Sequence, residues 1–98
     1  MTRQLQTLLK TTLLLLFLAT ASLQAGSMSA QEALNKATQY EDQNNYREAL
    51  KWYKISYEIE PTDQTAFNLA VAYKNVEDYP NAIKYYKEAS KKVLQKQQ

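Results

Sequence analysis

From Ser29 onward, apolar side chains recur every three or four positions, which is the spacing of one face of an α-helix. Turn-forming residues or a proline interrupt this pattern at positions 41–45, at Pro61 and at positions 77–78. Ser29 and Glu32 have the spacing of a helix capping box, so the first helix is expected to begin there. The pattern therefore predicts four helices and no strand, over residues 30–40, 46–60, 64–76 and 80–96.

Residues 31–60 reappear in altered form at residues 64–93, at an offset of 33 positions. Ten positions are identical, whereas chance at average composition would give roughly two. The identical pairs are Gln31/Gln64, Ala33/Ala66, Asn35/Asn68, Ala37/Ala70, Tyr40/Tyr73, Tyr46/Tyr79, Ala49/Ala82, Lys51/Lys84, Tyr53/Tyr86 and Lys54/Lys87. An internal period of this size indicates stacked repeats, which present a surface to another molecule. Residues 30–62 are named the first unit here, and residues 63–96 the second unit.

Small residues occupy matching places in the two units. Ala37 and Ala70 lie on the first helix of each predicted pair, and Ala49 and Ala82 lie on the second. A larger side chain at a close helix crossing would hold the helices apart, so these alanines predict where the helices cross. Tyrosines are expected to fill the space beside them, at positions 40, 53, 73 and 86.

The first 25 residues have the order of a secretory signal peptide. A charged stretch with Arg3 and Lys10 precedes the apolar run Leu13–Ala19, and small and polar residues follow. The apolar run is shorter than the roughly 20 residues of a membrane span. We predict cleavage after Ala25, with Ala21 as the alternative site, and export to the periplasm or the medium. In the other interpretation, the signal is uncleaved and residues 11–25 anchor the chain in the inner membrane.

Charge and composition narrow the function classes. The chain has 12 basic and 10 acidic residues, and its net charge of +2 comes from Arg3 and Lys10 alone. No basic stripe remains, so a nucleic-acid partner is disfavoured. Cysteine and histidine are absent, which excludes the usual Cys/His zinc sites and a thiolate or imidazole catalyst. The sequence therefore predicts no enzyme activity and no metal or other cofactor.

Two sets of residues carry a resemblance to a known family. They are Ala37, Tyr40, Tyr46, Ala49, Leu50, Tyr53, Ser56 and Pro61 in the first unit, and Ala70, Tyr73, Tyr79, Ala82, Ile83, Tyr86 and Ala89 in the second. In this spacing they resemble the tetratricopeptide repeat. The chain departs from the family's pattern in its period of 33, in Lys36 at a usually aliphatic position, and in Leu94 at the second unit's counterpart of Pro61. The resemblance implies an all-α fold of two tandem helix-turn-helix repeats, the start of an α-α superhelix, over residues 30–98.

The resemblance also implies a binding surface, since such arrays generally bind peptides on the concave face lined by the first helix of each pair. The predicted partner-binding residues are Leu34, Asn35, Thr38, Phe67, Asn68, Val71, Lys74 and Asn75, edged by Gln31, Glu41 and Gln64. Their chemistry is an apolar strip bordered by amides, and paired amides can hold a peptide backbone through a donor and an acceptor at once. The lysine and asparagine with which some family members grip a C-terminal carboxylate are replaced by Leu34 and Thr38, so that mode is not expected. In the alternative interpretation, Leu34 and Phe67 pack against neighbouring helices and bind nothing.

The function predicted on these grounds is that of an exported, non-catalytic protein-interaction module that binds a peptide or a partner helix. The alternative is a membrane-tethered scaffold that associates with itself through Trp52, Tyr85, Val93 and Leu94. Repeat arrays usually need about three units to be stable alone. We therefore expect this two-unit domain to be marginally stable, or to be completed by a second copy or a partner.

Overall fold

Four α-helices make up the part of the chain that the computed structural model describes, residues 27–98. They are α1, Ala30–Asp42; α2, Tyr46–Ile59; α3, Asp63–Asn75; and α4, Tyr79–Lys96. No strand occurs in these residues. The all-helical prediction is confirmed. The predicted signal peptide and its cleavage site lie outside the described residues.

The helix ends follow from local capping chemistry. The Ser29 hydroxyl accepts a hydrogen bond from the Glu32 amide at 3.1 Å, so the predicted start of α1 is confirmed. Thr62 caps α3 in the same way, with a 3.2 Å bond from the Thr65 amide, and α3 begins one residue earlier than expected. Pro80 lies in the first turn of α4, where its missing N–H is harmless.

The turns inside the two units share one backbone conformation. Asn44 and Glu77, 33 positions apart, are both left-handed, with φ of 60° and 63°. Each amide donates to the carbonyl three residues earlier at 2.9 Å. The next amide, of Asn45 or Asp78, donates to the carbonyl five residues earlier at 2.8 or 2.9 Å. This is the Schellman arrangement, which satisfies the last carbonyls of the preceding helix.

The core of each unit lies where its helices cross. Ala37, Ala49, Ala70 and Ala82 are at most 3 % exposed, so the predicted close crossings are confirmed. Among the tyrosines expected beside them, those at positions 53 and 73 are buried and those at positions 40 and 86 are half-buried.

The two units are joined by α3, which packs against α2 as well as against α4. Leu69 of α3 is 1 % exposed and is the largest fully buried side chain in residues 27–98. With Ala72 it belongs to one apolar cluster that also contains Ala37, Ala49 and Tyr53 of the first unit. None of the helices in this part of the chain is long and apolar enough to cross a membrane.

Candidate partner-binding surface

The predicted partner-binding residues lie on α1 and α3, and they differ in exposure. Phe67 is 52 % exposed. Asn35, Thr38 and Lys74 are also exposed, whereas Leu34 is half-buried and packs against the core. The remaining three, Asn68, Val71 and Asn75, are half-buried. Packing therefore accounts for part of the Leu34 surface, while Phe67 remains a large apolar side chain in contact with solvent.

Two adjoining cavities bring some of these residues together. Leu34 and Asn68 line a cavity between the units, and Phe67 and Asn68 line a second cavity in the second unit. Gln64 and Asn68 belong to both, so the amide-edged apolar strip is continuous from Leu34 to Phe67. Val71, Lys74 and Asn75 line neither of these two cavities.

The polar groups of α1 are partly engaged within the helix. The Asn35 side-chain oxygen accepts a 2.9 Å hydrogen bond from the Gln31 side-chain amide. The Thr38 hydroxyl donates to the Asn35 carbonyl at 2.9 Å. A peptide that used the Asn35 amide together with Asn68 would therefore compete with Gln31 for the Asn35 oxygen.

The larger of the two cavities is a groove along the free side of the second unit, named the end groove here. Its walls are formed by Asp63, Gln64, Phe67 and Asn68 of α3 and by Tyr86, Ala89, Ser90 and Val93 of α4. Its volume is about 490 Å³. Phe67 and Tyr86 meet edge to face at its centre, with ring centroids 5.6 Å apart and planes at 66°. Its walls combine an aromatic centre with apolar Val93 and the amides of Gln64 and Asn68.

The first unit has the equivalent groove, but α3 fills most of it. Ala30, Gln31, Leu34 and Ser56 line the cavity of the first unit. They are the counterparts, 33 positions earlier, of Asp63, Gln64, Phe67 and Ala89 in the end groove. The remaining volume in the first unit is about 120 Å³, and Thr62, Gln64, Thr65 and Asn68 close its third side. The end groove is therefore the surface on which a further helix would pack.

Charge is distributed unevenly around this surface. Residues 79–98 contain five lysines and one acid, Glu88, whereas residues 27–78 contain five basic and nine acidic side chains. Residues 27–78 as a whole are thus net negative, whereas α4 is net positive. At the mouth of the end groove, Lys96 donates to Asp63 at 2.5 Å. That hydrogen bond holds the pKa of Asp63 below its usual value, against a smaller opposing effect of desolvation.

Aromatic contacts behind the groove hold the units together. Tyr85 stacks on Tyr73 at 5.6 Å and meets Tyr57 edge to face at 5.3 Å. The Tyr57 hydroxyl donates to Glu88 at 2.9 Å, and burial, followed by this bond, raises the pKa of Tyr57. Tyr85 therefore joins the two units, since it stacks on Tyr73 of its own unit and contacts Tyr57 of the first unit.

Trp52, the counterpart of Tyr85, packs in another way. The Lys36 ammonium lies 4.5 Å from the centre of the Trp52 ring, in a cation–π contact between α1 and α2. This contact accounts for the lysine at a position where the family usually has an aliphatic residue. Tyr53 on the same helix is buried, and its hydroxyl donates to the Glu41 carboxylate. Burial has the largest effect and the hydrogen bond the next largest, and both raise the pKa of Tyr53.

The α4 wall of the end groove was not among the predicted partner-binding residues. The sequence predicts self-association for Val93 and packing for Tyr86, and Ala89 is one of the residues that carry the family resemblance. A signal for them was present in the repeat, because they correspond to Tyr53, Ser56 and Glu60 of the first unit, and residues 27–98 contain no further helix to cover them. No group of side chains in residues 27–98 could hold a metal ion.

A comparison with family models matches residues 65–98 to the tetratricopeptide repeat. The matched residues comprise nearly all of α3 and the whole of α4. Neither the curated proteins nor the solved structures include a match to the chain. The match falls on the unit that carries the end groove, and the family's repeats generally mediate contacts between proteins.

Proposed function

The chain is a tetratricopeptide-repeat protein, and we propose that it works as an exported, non-catalytic module that binds a peptide or helix of another protein. The binding surface in this proposal is the α1 and α3 face of the two units, continued into the end groove. The order of charged, apolar and small residues in positions 1–25 supports the proposed export.

The observation that carries the proposal is the exposure of Phe67 beside two amides. Phe67 is 52 % exposed, whereas its counterpart Leu34 packs against the core. Gln64 and Asn68 flank it on the same helix. A large aromatic side chain bordered by amides suits a peptide, which offers apolar side chains and backbone donors and acceptors together.

Site-directed photo-cross-linking in the cell of origin tests the binding face without disturbing the core. A photoreactive amino acid would replace Thr38 or Val71 on the proposed face, or Ile59 as the control. Ile59 is 45 % exposed and lies at the end of α2, outside both cavities. We expect covalent adducts with another protein from Thr38 and Val71, and none from Ile59. Equal yields at all three positions, or none at Thr38 and Val71, would contradict the proposal.

Mass spectrometry of the purified protein tests export separately. Proposed cleavage after Ala25 leaves a mature chain that begins at Gly26 and is recovered from the periplasm or the medium. Recovery of the protein with residues 1–25 intact in a membrane fraction would contradict the proposed export and support the membrane-anchored alternative. That result would leave the binding face untested, so the two experiments are independent.

A further inference from the structure

The way α3 packs on the first unit defines what a further helix must look like. Thr65, Leu69 and Ala72 of α3 are buried, at spacings of four and three residues along one face. Leu69 and Ala72 belong to the cluster shared with the first unit. A helix that docks in the equivalent place therefore needs a small residue, a leucine and an alanine in this order.

The second unit presents the same docking surface without a helix on it. Leu50 on α2 packs against the core, whereas its counterpart Ile83 on α4 is 53 % exposed. Val93 is 41 % exposed and Phe67 52 %. These three side chains, with Tyr86 between them, form an apolar face for which residues 27–98 offer no cover.

A second copy of the chain fits this face poorly. The positions of α1 equivalent to Thr65, Leu69 and Ala72 are Glu32, Lys36 and Gln39, and all three are exposed. Docking α1 of a second copy would bury a lysine and a glutamate against apolar walls, which is costly without partners. Pairing of two α4 helices would bring together two segments that each carry five lysines and one acid. Charge therefore opposes both arrangements.

Charge also favours a particular kind of partner. Lys87 and Lys91 follow Ile83 at intervals of four residues on α4, so they form a row beside the apolar face, and both are exposed. Ile83, Lys87 and Lys91 line one neighbouring cavity of about 440 Å³ together with Lys84 and one acid, Glu88, whose carboxylate accepts from the Tyr57 hydroxyl. A helix in the end groove would place one flank over these lysines, where glutamate or aspartate pairs favourably and lysine is repelled.

We propose that the end groove binds an acidic amphipathic helix of a partner protein, which packs there as α3 packs on the first unit. This inference rests on the proposed interaction role and adds the chemistry of the partner. The docked helix buries an apolar face with the small–leucine–alanine spacing and turns its acidic flank toward Lys87 and Lys91.

A stapled helical peptide is the probe for a direct binding experiment with the full chain. Its docking face copies Thr65, Leu69 and Ala72, and glutamates occupy the flank; the control peptide has lysines at the same flanking positions. Fluorescence anisotropy measures Kd for the full chain and for three variants: Val93→Glu, Lys87→Glu combined with Lys91→Glu, and Ile59→Glu. Circular dichroism confirms that each variant remains helical.

We expect the acidic peptide to bind about ten-fold more tightly than the basic one. Val93→Glu and the double lysine variant should each weaken binding of the acidic peptide by about ten-fold or more, and Ile59→Glu should leave it unchanged. The charge-reversed double variant should prefer the basic peptide, which a merely unfolded groove would not do. Equal binding of the two peptides, or equal effects of Val93→Glu and Ile59→Glu, would overturn the proposal.

Two further outcomes would assign the groove to another occupant and so overturn the proposal. One is a concentration-dependent dimer in sedimentation that Val93→Glu dissociates. The other is an intramolecular cross-link from a photoreactive residue at position 93 to residues 11–25. Cross-linking from Thr38 and Val71 without binding of the acidic peptide would refute only this inference. Peptide binding without those cross-links would instead refute the proposed α1 and α3 face.

Discussion

Glu77 occupies a backbone position that disfavours its side chain, and its replacement by glycine is expected to stabilise the protein. The residue has a φ of 63° in the turn between α3 and α4. Its amide donates to the Lys74 carbonyl at 2.9 Å. Within residues 27–98 its carboxylate takes part in no ion pair. Glycine keeps the amide and its hydrogen bond, so Glu77→Gly changes mainly the conformational cost.

The size of the effect follows from two opposing contributions. A residue with a β-carbon costs roughly 1–2 kcal/mol in the left-handed conformation. Glycine gives back roughly 0.5–1 kcal/mol because it is more flexible in the unfolded chain. A net gain of about 0.5–1 kcal/mol remains, which raises Tm by about 3–6 °C in a domain of this size.

Asn44 supplies the matched control, because it has the same turn position in the first unit and a φ of 60°. Asparagine enters the left-handed region readily, so Asn44→Gly should change Tm by less than about 2 °C. Thermal unfolding followed by circular dichroism at 222 nm measures both variants under identical conditions. A lower Tm for Glu77→Gly, or equal shifts for the two variants, would show that strain at Glu77 does not limit stability.

Three further predictions test packing and electrostatics. Leu69→Ala should cost about 2–5 kcal/mol in a urea titration because Leu69 is 1 % exposed, whereas Lys36→Ala at its counterpart should cost about 0.5–1 kcal/mol through the lost cation–π contact. The pKa of Asp63 is lowered by Lys96. The contribution of this ion pair to stability is therefore present above the ordinary carboxyl pKa and is lost as pH falls through the folded-state pKa of Asp63. Lys96→Met should raise the Asp63 pKa in a carboxyl NMR titration. The pKa of Tyr53 is raised. The contribution of Tyr53 to folding stability is therefore present below the ordinary tyrosine pKa and is lost at higher pH. Tyr53→Phe should reduce the loss of helicity at alkaline pH.

For each of these three predictions, a specific result would contradict the structural argument behind it. Equal losses from Leu69→Ala and Lys36→Ala would mean that α3 does not pack on the first unit as described. For Asp63, the control is Lys92→Met, which should leave the carboxyl pKa unchanged. A Tyr53→Phe variant that unfolds at the same alkaline pH as the parent would assign that transition to other groups.

The helix bounds could be predicted closely because local chemistry marks them. Ser29 supplies the cap that begins α1, and Pro61 lies just beyond the end of α2. Pro80 is compatible with a first turn and incompatible with a helix interior. These signals act over a few residues, so they survive in the sequence without knowledge of the tertiary packing.

The partner-binding face was harder to predict, because exposure depends on which neighbours cover a position. Leu34 and Phe67 are equivalent in the repeat, yet α3 covers part of the surface around Leu34, whereas no further helix in residues 27–98 covers the groove beside Phe67. Helical spacing places both side chains on the same face of their helices and cannot separate these two cases. The α4 wall of the end groove was hard to predict for the same reason. Tyr86 and Val93 contact solvent there only because no further helix within residues 27–98 covers them.

The differences between the units therefore carry more functional information than the identities. Positions that build each unit remain the same, as in Ala37/Ala70 and Ala49/Ala82, because close helix crossings admit only small side chains. Positions on the stacking faces diverge according to what covers them. Lys36 stands where the second unit has Leu69, so the exposed face of α1 is polar at the position through which α3 packs with a leucine. The second unit keeps exposed aromatic and aliphatic side chains beside the lysines of α4, and within residues 27–98 this is the surface best suited to the proposed acidic helix.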